Sequence, residues 1–391
     1  MFGDKVLQKT KNSELEPGMV LGQDILGRDA MVLIARGKEL DQRLIDLISQ
    51  KMGDEKEILI YYPDADMHEQ ERNIQEMEKL RTVVENIFSK HPDFEETKQM
   101  VKKVQKNIED AIDYLKEKGE VNDVEFYNIS KNVVANFSGE KSQLNPGLLY
   151  LVEMEKWHPE TFNHSIDVAF FSLLIASSLE SDQNKLNAYF MGGLLHDIGK
   201  FVNDEENWGQ YYQLITKTGP LTEEEFEKLK KHVQVENLFK SKFSFLDAEQ
   251  LFIVKRSAME HHEKLDGSGY LNHKKGEEIS LAGRIVAIAD IYDAMIRRRD
   301  YKEMIKPYKA MRHLMSLSEY GKLDPRLMKI FVSKIGFYPT GSMLTSSRGD
   351  IMVLRQSADM YRPVVICVED GYRELDLSSN TDIEIFEEIN D

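Results

Sequence analysis

RIVAIADIYDAM, residues 284–295, reads as a largely apolar helix with a carboxylate, Asp290, in its middle. A carboxylate set among Ile, Val and Ala needs a strong partner to offset its burial. Working outward, helical periodicity predicts further helices over 146–156, 160–180, 184–200, 222–240, 246–262, 279–297 and 307–319. The stretch from about residue 121 to 336 therefore predicts an all-helical domain, and it holds the candidate partners. Glu160 and His164, in HPETFNHS, are spaced i and i+4 and share one helix face. His196 and Asp197 are adjacent in LLHDIGK; on a helix such neighbours diverge by about 100°, so they cannot chelate as a flat pair but can share one ion or reach two. His232 lies in KLKKHVQVE, and His261 and His262 are paired in MEHHEK. Each alone is most simply a hydrogen-bonded core residue. Together they are five of the chain's 10 histidines in one predicted domain, which points to a shared metal site. Mixed imidazole and carboxylate ligation suits Fe, Mn or Zn better than Mg or Ca.

Outside this domain the pattern changes. Residues 1–64 predict a small α+β module: LEPGMVLGQDIL and AMVLIARGKEL read as short strands with Gly and Pro turns, LDQRLIDLISQK as a helix and EILIYYP as a closing strand. Residues 65–120 are highly charged, with Ile74, Met77, Val84 and Phe88 and then Val101, Val104, Ile108, Ile112 and Leu115 at helical spacing, and predict a helical connector or dimerising coil. Residues 337–391 predict a short β appendage. The fold class is thus mainly α, with strand-containing pieces at each end.

Composition narrows the function. The chain has 391 residues and a formal net charge of −17, which argues against a DNA or RNA polymer as ligand. An anionic substrate would need local cations or metal ions. The single cysteine, Cys367, allows no internal disulfide and suits a reducing compartment. The longest apolar run, Val168 to Leu179, is too short to span a bilayer and carries three serines, and the first residues lack the apolar core of a signal peptide. A cytoplasmic protein without membrane insertion is expected.

The order H…HD…H…HH…D, with LLHDIGK, TGPLTEEEFEKLKKH, HHEKLDGSGYL and RIVAIADIYDAM, resembles the HD-GYP subfamily of the HD phosphohydrolases over about residues 145–340. YPTGSMLTSSRGDIMVL is similar to the tail that often follows, and LEPGMVLGQDI to a module often attached in front. The resemblance implies a bacterial phosphodiesterase that hydrolyses cyclic di-GMP to linear pGpG, and in some members on to GMP, with a metal-bridging hydroxide at a di- or trinuclear centre of Fe or Mn. It implies that His164, His196, Asp197 and Asp290 bind one ion, that Asp197 bridges to a second held by His232, His261 and His262, and that Glu160 belongs to a third. Asp197 and Lys200 would be catalytic; Tyr270, Lys200, Arg299 and Lys302 would contact the substrate. Asp293 and Arg284 would support the site from behind.

Three departures from the family pattern stand out. GYP is GYL here, with Leu271 for proline, which predicts a more mobile loop. FVNDEENWGQYY, residues 201–212, is longer than usual and reads as a lid, a partner surface or a plain solvent-facing loop. Arg-Pro-Tyr-Lys has become Arg299–Asp300–Tyr301–Lys302. Two other functions fit the same motifs. One is a catalytically weak module that binds a cyclic dinucleotide or a diguanylate cyclase (GGDEF) partner. The other is a hydrolase of another cyclic dinucleotide, such as a cyclic GMP-AMP hybrid.

Overall fold

A computed structural model of the chain describes residues 5–23, 25–26, 32–34, 36–53, 56–63, 122–137, 163–200, 214, 217, 221–241, 243–296, 306–368 and 370–386, with scattered positions between 82 and 114. The connector expected over 65–120 falls mostly outside this set. So do the expected helix 146–156, Glu160, the 201–212 insertion, Arg299 and Lys302.

The N-terminal unit has strands β1 (Lys5–Lys11), β2 (Val20–Leu21), β3 (Ile25–Leu26) and β4 (Val32–Ile34), helix α1 (Gln42–Met52) and strand β5 (Glu57–Pro63). β5 is central, antiparallel to β1 and β2, while β3 and β4 form a separate pair. The Asp41 carboxylate accepts the Leu44 N–H at 2.8 Å and starts α1. Ile45 and Ile48 of α1 pack with Leu21, Leu40, Ile58 and Ile60. The strand and helix readings of residues 15–63 match this arrangement.

The helical unit contains α2 (Asp123–Phe137), α3 (Asn163–Ala176), α4 (Gln183–Leu194), α5 (Glu223–Lys230), α6 (Glu236–Ser241), α7 (Ala248–Glu260), α8 (Leu281–Ile296), α9 (Pro307–Glu319) and α10 (Pro325–Ile335). α4 packs against α2, α3 and α7, and α8 against α3 and α7. These contacts make α3, α4, α7 and α8 the heart of the unit. Their sequences say why: α3 and α8 are apolar on almost every side, so each is buried by several neighbours. The long apolar run at Val168 is therefore a central helix, and no helix among the described residues is long and apolar enough to cross a membrane. Phe171, Tyr292 and Phe331 meet edge to face at 5.2–5.7 Å and tie α3, α8 and α10 together. Where α3 crosses α4, a Cβ on Gly193 would lie 2.6 Å from the Ala169 Cα, so only glycine allows this approach.

Three expected helices are interrupted. The one over 184–200 leaves α geometry at Leu195 and continues as a turn and a 3₁₀ segment, Ile198–Lys200. The one over 222–240 is broken by a 3₁₀ turn, Lys231–Val233. The one over 246–262 ends at Glu260. A capping box of Thr222 and Glu225 starts α5 and one of Asp247 and Gln250 starts α7, so the beginnings were legible and the ends were not.

C-terminal to the helices, β6 (Met343–Ser346), β7 (Gly349–Arg355), β8 (Val364–Cys367), β9 (Arg373–Asp376) and β10 (Ile385–Phe386) form an antiparallel sheet in the order β10-β6-β7-β8-β9. Ile351, Val353, Val365 and Cys367 pack with Tyr308 of α9 and with Tyr338, which docks the sheet on the helices.

Candidate metal centre

The breaks in the helices are where the candidate ligands sit. His196 and Asp197 follow the end of α4, His232 lies in the 3₁₀ turn after α5, and His261 and His262 follow α7. His164 and Asp290 project from α3 and α8 themselves. Helix C-termini leave carbonyls without intrahelical partners. The histidines use them: Nδ1 of His196 bonds the Gly193 carbonyl at 2.7 Å, that of His232 the Leu229 carbonyl at 2.7 Å, and that of His261 the Ala258 carbonyl at 3.1 Å. A carbonyl only accepts, so each Nδ1 carries the proton and each Nε2 presents a lone pair to the centre. Gly199 lets the first of these turns meet the second, since a Cβ there would overlap the His232 carbonyl at 1.8 Å.

Asp197 stands between two sets of imidazoles. Its Oδ1 lies 3.2 Å from His232 Nε2 and 3.6 Å from His261 Nε2. Its Oδ2 lies 3.4 Å from His196 Nε2 and accepts a hydrogen bond from Lys200 Nζ. On the other side, His164 Nε2 is 3.2 Å from Asp290 Oδ1, and His196 Nε2 is 3.7 Å from the same atom. His164 Nδ1 bonds Asp293 Oδ2 at 2.6 Å. His262 approaches Asp290 Oδ2 at 4.0 Å, and its ring stacks on Tyr270 with centroids 4.5 Å apart. Two groups of donors thus come close enough to share an ion each: Asp197, His232, His261 and His262, and His164, His196 and Asp197.

Four buried atoms of this cluster, Nε2 of His196, His232 and His261 and Oδ1 of Asp197, have no hydrogen-bond partner. Such orphans are costly unless something not made of protein satisfies them. All four are metal-donor atoms aimed at one another, so the residues fit a bound transition metal. Titration points the same way. Burial pushes the His261 imidazole down to about 4, and it pushes His262 well down as well, so both are neutral and ready to donate. Burial would raise the Asp197 and Asp290 carboxyls, but Lys200 and His196 hold the first well below the usual range and His164 the second. His164 is the exception. Burial lowers it, yet hydrogen bonds to Asp290 and Asp293 prevail and raise it to about 9, so a metal must displace its proton.

Compared with known protein families, residues 151–327 match the HD domain family. Among curated proteins, a cyclic di-GMP phosphodiesterase of Pseudomonas aeruginosa is 31% identical over 53% of this chain and 47% of its own length. A 3'3'-cGAMP-specific phosphodiesterase of Vibrio cholerae is also 31% identical, over 44% of this chain and 37% of its own. The chain thus spans less than half the length of these relatives. Among solved structures, an HDG"Y"P protein from Bdellovibrio bacteriovorus aligns with 84% of this chain and 99% of its own at 17% identity and a TM-score of 0.45.

Within the matched stretch, seven of the eight expected ligands converge; Glu160 lies outside the described residues. Lys200 is beside Asp197, and Tyr270 stands behind His262, with Phe226 at 6.4 Å and Lys230 Nζ 5.6 Å above its ring. Asp293 supports His164 from behind, as expected. Arg284 is more distant and bonds Glu277 and Asp324. Lys264 was not singled out by sequence reading. Burial pulls its ammonium down to about 8 against the attraction of Asp290. Its only sequence signal was a cation two residues after the paired histidines.

Proposed function

We propose that this helical domain hydrolyses cyclic di-GMP to linear pGpG, with product analysis deciding whether a second cut to GMP follows. The observation that carries the reading is Asp197, whose two oxygens face two different imidazole sets and so suit a carboxylate shared by two ions. His164, His196, Asp197 and Asp290 would hold one ion, and His232, His261, His262 and Asp197 the other, with Glu160 for a third; Fe or Mn suits this donor set. Such ions supply Lewis-acid stabilisation of phosphoryl oxygens and acidify water. The protein's part is to hold the donors aimed, with carbonyl bonds fixing three imidazoles. Lys200, hydrogen-bonded to Asp197, would neutralise a phosphate oxygen or donate a proton to the departing ribose oxygen. Tyr270, with Arg299 and Lys302, would bind the nucleotide.

Relatives named for cyclic di-GMP and for cGAMP both match, so the second reading keeps the mechanism and changes the base. The altered GYL loop favours a third: a module that binds a cyclic dinucleotide or a diguanylate cyclase (GGDEF) partner without turnover. The proposal includes a cytoplasmic setting, a regulatory module over residues 1–64, and homodimerisation through the connector at 65–120. Incubating metal-loaded protein with each cyclic dinucleotide and resolving products by chromatography tests it. No product from either would leave the binding-module reading.

A further inference from the structure

Glu263 directly follows the ligand pair His261–His262, and it is only 2% exposed. It takes no part in the metal cluster. Both of its oxygens are occupied by backbone: Oε1 accepts the Asn272 N–H at 2.8 Å and Oε2 the Lys274 N–H at 3.0 Å. Those amides lie just beyond Tyr270. The loop between is pressed onto the ligand segment: the Tyr270 N–H donates to the His262 carbonyl at 3.2 Å, and a Cβ on Gly269 would lie 2.4 Å from that same oxygen. Glu260 ties down the far end, accepting from the Ser280 N–H at 2.8 Å and from Lys274 Nζ. The ring of Tyr270 therefore lies on that of His262 at an interplanar angle of 29°.

We propose that Glu263 is a positioning residue that holds Tyr270 as a fixed wall of the site, so that this loop is ordered by a carboxylate clamp and does not need a proline at Leu271. The proposal rests on the phosphodiesterase reading, with Tyr270 facing the nucleotide. Two hydrogen bonds from backbone amides to one side chain buried from solvent are strong enough to set the loop. Proline acts differently, by narrowing the freedom of the unbound chain.

Glu263→Gln tests it, because the size is kept while one acceptor becomes a donor facing an N–H. Amide exchange at Asn272 and Lys274 should speed up about tenfold or more, the scale of one such bond. KM for the cyclic dinucleotide should rise about tenfold while kcat stays within about threefold and metal content is unchanged. Unchanged KM despite faster exchange would overturn the proposal, since Tyr270 would then not depend on the clamp. A joint fall of kcat and metal content would also overturn it, by making Glu263 a support for the ligands. Should this variant not fold, Asn272→Pro deletes one donor and leaves Glu263 intact, and the same split is expected. If the wild-type protein turns over neither dinucleotide, the substrate reading fails, and unaltered exchange at both amides would overturn the clamp by itself.

Discussion

Asp293→Asn isolates how much a charge behind a ligand is worth. Asp293 is fully buried, one turn after Asp290 on α8, and its Oδ2 bonds His164 Nδ1 at 2.6 Å. An asparagine oxygen still accepts that N–H, so the ring stays aimed at Asp290, but the bond is no longer charge-assisted. Bonds to charged groups are worth roughly 1.5–3 kcal/mol against about 1 for neutral ones. The variant should therefore lose about 0.5–2 kcal/mol of support for His164. That corresponds to roughly 2- to 30-fold weaker metal binding, in line with the effect of removing partners behind metal ligands. In metal-free protein the His164 imidazole, raised to about 9 by Asp290 and Asp293 against burial, should titrate lower in the variant. Chelator competition gives the affinity, and NMR titration of the labelled ring gives the shift. Affinity within twofold of wild type together with an unmoved His164 titration would refute the argument. Asp293→Ala should be worse, because it also strands a buried N–H.

Asp197→Ala should abolish hydrolysis of both cyclic dinucleotides while leaving most helicity by circular dichroism, since the helices have their own apolar core; near-normal turnover would sink the shared-carboxylate mechanism. His164 titrates at about 9 in the fold against 6.5 unfolded, so it stabilises metal-free protein below pH 6.5 and that contribution fades as pH rises through 9. The loss should reach at most about 3 kcal/mol, and urea titrations showing flat stability over that window would contradict it. Metal added near neutral pH should release about one proton per chain from this residue, read with a pH indicator. Leu271→Pro removes no hydrogen bond, because the Leu271 N–H has no acceptor among the described residues, so KM should fall by no more than about fivefold with kcat unchanged. Tyr270→Ala should raise KM and lower kcat; if both variants are silent, the loop serves a protein partner instead of the substrate.

The sequence by itself pointed to the class of chemistry. The residue types of the candidate ligands, a carboxylate on an apolar helix, and imidazoles at HD and HH point to divalent metal binding before any fold is known. The apolar periodicity of α3 and α8, the caps at Thr222 and Asp247 and the strands of residues 15–63 were likewise local and legible. What local reading could not decide was where helices stop. Residues 184–200 and 222–240 keep helical periodicity through His196 and His232, yet the chain turns out of helix at both. Those ends are set by long-range packing: Gly199 against the His232 carbonyl, and Gly193 against Ala169. Tertiary structure alone brought His232 and His261, 35 and 64 residues further along the chain, to one oxygen of Asp197, and gave Glu263 its two amides. A side chain's partners across such distances depend on how helices cross, which no periodicity records. Tertiary structure also gave the loop around Leu271 a hold that no motif records, two backbone N–H groups on the carboxylate of Glu263, a residue whose sequence context shows only that it follows two histidines.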